Sequence, residues 1–116
     1  MGILDKLLGR DVDAFAKTLA EAIAKRYPPA LDKSPERRVS PNRVTKVLED
    51  AMEQATSYAS TQRLGVYKKA KLANAFKWEL KELGYSDKFV EVATESLVVY
   101  ITTRKGKQES APGGSA

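Results

Sequence analysis

Apolar residues return along this chain every three or four positions, in four blocks divided by proline, glycine and charged stretches. That period keeps one face of an α-helix apolar. In the first block Val12, Phe15, Ala16, Leu19, Ala22, Ile23 and Tyr27 fall in register, with Asp11 at the N-cap position. Pro28-Pro29 ends it, because the residue before a proline is disfavoured in the helical region. The second block opens on Ser40-Pro41, a cap followed by the residue best suited to the first helical position. Val44, Val47, Leu48, Ala51, Met52, Ala55, Tyr58 and Ala59 form its stripe, and Ala51, Ala55 and Ala59, four apart, predict the close approach of another helix. Lys46, Glu49, Asp50, Glu53 and Ser57 face away.

The third block carries Leu72, Ala73, Phe76, Leu80 and Leu83 on one face and stops at Gly84, the residue type that follows helix ends. Ser86-Asp87 caps a fourth, with Phe89, Val90, Ala93, Leu97, Tyr100 and Ile101 as its stripe. Residues 90–103 are rich in Val, Ile and Thr, so a strand competes there. A lone strand needs a partner, and no other segment reads as one, which favours the helix. The prolines and charges of residues 28–40 predict a loop, and 104–116 a disordered polar tail.

These elements predict an all-α chain: one four-helix bundle-like domain over 1–103, with a short amphipathic turn at its N-terminus. The short links from second to third helix and from third to fourth predict that both pairs are antiparallel neighbours.

Composition narrows the chemistry. The 116 residues include no cysteine and no histidine. Disulfide scaffolds, thiolate metal sites, histidine general acid–base catalysis and histidine-ligated metals are therefore excluded within the chain. Glu49/Glu53 and Glu91/Glu95 are spaced one helical turn apart, but both pairs point away from the apolar stripes and read as solvated faces. No phosphate-binding glycine loop is present. The expectation is a chain that is not an enzyme and carries no cofactor or metal. Arg37-Arg38-Val39-Ser40 has the form of a kinase site, but capping explains Ser40 more simply. No apolar run approaches the length of a membrane span, and a chain without cysteine fits the cytoplasmic protein expected here.

The net charge is +5, unevenly spread. Residues 66–84 hold five lysines against two glutamates, and 85–103 one lysine against three acids. Roughly opposite the apolar stripe of the third helix, Tyr67, Lys71, Asn74, Trp78 and Lys81 line up at one helical azimuth. Aromatics interleaved with lysines suit a protein interface, where Trp and Tyr are favoured anchors. They equally suit nucleic acid, with rings on bases and lysines on phosphates. The competing reading buries Trp78 and Tyr67 beneath the first helix or the N-terminal turn. A basic patch joining this helix to Arg37, Arg38, Arg43 and Lys68 would bind phosphate or another anion. Its competitor is a solvated surface whose charge cancels against Glu91 and Glu95. A helix-turn-helix built from the second and third helices would place Lys68, Lys71 and Asn74 on DNA. Ile3, Leu4, Leu7 and Leu8 give the N-terminal turn one apolar face, which favours docking on its own bundle over weak contact with a membrane surface.

The function expected from these residues is a non-catalytic interaction module. It binds a protein partner, or itself as a homo-oligomer, through Tyr67, Lys71, Asn74, Trp78 and Lys81. The alternative is nucleic-acid binding by the same helix with the Arg-rich loop.

Overall fold

The computed structural model describes residues 10–33 and 41–103. The turn at Ile3–Leu8, the cap Ser40, the loop residues Arg37 and Arg38 and the tail 104–116 lie outside the described residues. Five helices follow one another: α1 (Arg10–Arg26), α2 (Pro29–Lys33), α3 (Pro41–Thr61), α4 (Val66–Leu83) and α5 (Asp87–Thr103). The described residues contain no strand, so the Val- and Thr-rich C-terminal segment is helical. Two local expectations change. Helix α1 begins at Arg10, so Asp11 sits inside its first turn. Part of the expected loop forms α2, a single turn started by Pro29 at the first helical position.

The main helix–helix contacts join α1 to α4, α4 to α5, α5 to α3 and α3 to α1, a closed ring of four. The predicted pairing of α4 with α5 holds. The predicted pairing of α3 with α4 does not: they are not among the main packing pairs. A four-residue link fixes only how far apart two helix ends lie, and four extended residues reach about 13 Å. Polarity follows from named contacts. Phe15 stacks on Tyr58 at 3.9 Å between ring centroids, and Arg26 bonds Asp50 at 2.7 Å, so α1 and α3 are antiparallel. Lys71 pairs with Asp13 at 3.6 Å while Tyr85 meets Tyr27, so α4 runs parallel to α1.

The core fills the ring. Val12, Ala16, Leu19 and Ile23 of α1 meet Met52 and Ala55 of α3, Leu72, Phe76 and Leu80 of α4, and Ala93 and Leu97 of α5, all buried. The three alanines of α3 are buried as their spacing predicted.

The helix ends are closed by specific bonds. Gly84 takes φ +105°, its N–H donating to the Lys81 carbonyl and that of Tyr85 to the Leu80 carbonyl. These are the paired bonds of a Schellman stop, which needs a residue with positive φ. Helix α3 ends the same way without a glycine. Arg63 (φ 54°) bonds back to the Ser60 carbonyl and Leu64 to the Ala59 carbonyl, with Leu64 buried. Gly65, the glycine nearest that link, is instead extended, at the start of α4. Helix α5 is capped as expected: the Ser86 hydroxyl accepts from the Phe89 N–H at 3.2 Å.

One polar cluster ties the α1–α2 corner to the α4–α5 turn. The Asp32 carboxylate accepts from the Tyr27 hydroxyl at 3.1 Å and from the Ser86 N–H at 2.8 Å. The Tyr85 hydroxyl donates to the Tyr27 carbonyl, and both rings pack on Phe89. Burial, with the Asp32 charge nearby, pushes the Tyr27 phenol up to about 12 and raises that of Tyr85 further. At the opposite end of α1, Asp11 accepts from the Tyr58 hydroxyl at 3.1 Å. Burial and that bond push Tyr58 up to about 12.

Candidate functional site

Helix α4 lies between α1 and α5 in the ring, and its inward positions are filled by Leu72, Ala73, Phe76 and Leu80. Among the described residues, no helix packs on the azimuth opposite them. Tyr67 is 73% exposed and Trp78 52% exposed, while Asn74 and Lys81 are also exposed. The described helices therefore leave the strip open, and α1 does not cover Trp78. Tyr67 and Trp78 are eleven residues apart, roughly 16 Å along the axis.

The strip is not uniform. At its start Lys71 leans toward α1 and pairs with Asp13 at 3.6 Å, so this lysine is partly neutralised. Near its end the indole of Trp78 has two ammonium groups over it: Lys81 at 5.4 Å and Lys77 at 5.7 Å from the ring centroid. Each contact is worth about 0.5–1 kcal/mol at an exposed site. They set positive charge around an apolar plate. Lys77 is the member that the helical wheel missed, because its azimuth lies 100° from that of Trp78. Its long stem brings the ammonium back over the ring. The sequence signal for it was adjacency, Lys-Trp, rather than period.

The anion-binding set is not assembled around this strip. Arg37 and Arg38 fall outside the described residues. Arg43 stands near the start of α3, which is not a main neighbour of α4. Lys68 is partly buried on α4. The helix-turn-helix reading fails for the same reason, since it needs α3 and α4 packed together.

A second exposed feature lies on α5. Its stripe of Phe89, Val90, Ala93, Leu97 and Ile101 is buried, yet Val92 (43%), Val98 (40%) and Val99 (54%) are exposed, with Glu91 and Glu95 beside them. Helix α5 carries more valine than one core-facing stripe holds. The exposed pairs Glu91/Glu95 and Glu49/Glu53 stand in solvent as expected, and no ion pair links Glu91 or Glu95 to the lysines of α4. Among the described residues, no helix is long and apolar enough to cross a membrane.

Compared with known proteins, the chain matches no family model, no curated protein and no solved structure.

Proposed function

We propose that this chain is a non-catalytic interaction module that receives a protein partner on the outer strip of α4. One observation carries the reading. The chain's only tryptophan stands half exposed, with the ammonium groups of Lys77 and Lys81 over its ring, on a helix whose core positions are already filled. A rigid aromatic that loses little freedom on binding is the usual anchor of an interface, and a lysine rim selects an acidic surround. Tyr67 supplies a second anchor one strip-length away, with Asn74 between them as a hydrogen-bonding group and Lys71 as a rim charge shared with Asp13. A cytoplasmic setting fits the absence of cysteine.

The test compares the full chain with Trp78→Ala and Tyr67→Ala as baits in extract from the source cells. Circular dichroism first checks that each variant keeps its helicity. Both variants should lose a protein that the unaltered chain captures. Retention of every captured protein by Trp78→Ala at unchanged helicity removes the strip as the site. Nucleic acid is the second reading, favoured by the five lysines of α4. It requires affinity for DNA or RNA that falls steeply with salt through counterion release. A protein interface anchored on the indole weakens far less.

A further inference from the structure

We propose that the partner of the α4 strip is a second copy of this chain, docked through its α5. This rests on the reading of α4 as an interface and names what fills it.

The two exposed strips are complementary. On α4, Trp78 is an apolar plate with the ammonium groups of Lys77 and Lys81 over it. On α5, Val92 is exposed, with the exposed Glu91 and Glu95 to one side of it on the helix surface. Helix α4 as a whole holds five lysines against two acids, and α5 three acids against one lysine. Within one molecule the strips cannot meet, because α4 and α5 pack side by side and both strips point outward.

Their heights along the bundle also match. Helices α4 and α5 are antiparallel and joined by a link centred on Tyr85. Residues equally far from Tyr85 in sequence stand at the same level. Trp78 is seven before it and Val92 seven after, so both stand roughly 10 Å from the turn. Glu91, six after, falls between the levels of Lys81, four before, and Lys77, eight before. A two-fold axis parallel to the helices keeps every level unchanged and exchanges α4 with α5. It sets Trp78 of each copy against Val92 of the other, with Glu91 and Glu95 meeting Lys77 and Lys81. Both contacts form at once, so the assembly closes at two copies rather than growing into a filament. The hairpin is self-complementary, which neither strip is alone.

The test is sedimentation of the full chain across a dilution series, with two charge-reversed variants, Lys77→Glu/Lys81→Glu and Glu91→Lys/Glu95→Lys. Lys81, Glu91 and Glu95 are exposed and Lys77 is half-buried, and circular dichroism confirms folding. The unaltered chain should be a dimer that dissociates on dilution. Each double variant should weaken self-association by about tenfold or more, through like charges brought face to face. An equimolar mixture of the two should restore the dimer, since each then offers the charge the other lacks. Trp78→Ala, uncharged, tests the same contact should either double variant fail to fold. A monomer at every concentration overturns the proposal. So does a dimer indifferent to all three variants, or a mixture that does not recover. If the chain is monomeric while Trp78→Ala still abolishes capture of a different protein, the α4 strip stands and the second copy does not. If neither self-association nor capture responds to Trp78→Ala, both readings fall.

Discussion

Removing the Asp32 carboxylate should loosen the corner that sets α4 and α5 in register. Asp32 holds two donors, the Ser86 N–H at 2.8 Å and the Tyr27 hydroxyl at 3.1 Å. A hydrogen bond to a charged acceptor contributes about 1.5–3 kcal/mol. The shorter bond belongs to Ser86, which is only half buried, so water can replace part of it. Tyr27 is 8% exposed, and its hydroxyl loses its acceptor in Asp32→Ala. Asp32 also places negative charge at the N-terminus of α5, where a helix favours it by a few tenths of a kcal/mol or more. Together these put Asp32→Ala at about 2–3 kcal/mol. Asp32→Asn keeps one acceptor oxygen but turns an amide donor toward the other donor, and should cost about 1–2 kcal/mol. Urea denaturation followed by circular dichroism reads both, the slope confirming that the same surface is exposed. A loss below about 0.5 kcal/mol for Asp32→Ala, or a larger loss for Asp32→Asn than for Asp32→Ala, would refute this account.

Other consequences are equally direct. Arg63→Gly should stabilise the chain by about 0.5–1 kcal/mol in the same assay, because Arg63 holds φ 54° at the stop of α3, where glycine carries no side-chain penalty. Phe76→Ala should cost about 3–5 kcal/mol by thermal or urea unfolding, since the ring is fully buried at the centre of α4. Above pH 10 the protein should lose stability. Tyr27 and Tyr58 are held neutral up to about 12 when folded but ionise near 10 when unfolded, so the unfolded chain releases protons first. The stability is whole below pH 10 and falls between pH 10 and 12. A midpoint of urea unfolding that does not move across that window would contradict it. In dilute solution, emission from Trp78 should be red-shifted and open to quenchers, and it should become protected as the chain is concentrated into the proposed dimer. A blue-shifted, protected emission at the lowest concentration would contradict the half-exposed indole.

The chain's own pattern determined its helices. Leu72, Phe76 and Leu80 name the inner face of α4, Ser86 the start of α5 and Gly84 the end of α4, because period, capping and positive φ are decided within a few residues of chain. It also aligned Tyr67, Lys71, Asn74, Trp78 and Lys81 on one azimuth. It did not decide whether that azimuth is covered. A wheel shows which residues share a side, while coverage depends on which other helix lies there, and that is a sum over contacts far apart in sequence. The tertiary structure put α1 and α5 beside α4, and none of the described helices covers the strip. It also separated α3 from α4 despite their short link, and with them the helix-turn-helix. Arg63 in a left-handed turn next to an unused Gly65 was hidden for a similar reason. Local preference favours the glycine, but the stop falls where Leu64 can be buried. Lys77 over the Trp78 ring is a matter of side-chain reach, which a backbone period does not carry. Local rules chose the elements. Which faces meet, and which stay in water, was settled only when all four helices had to share one core.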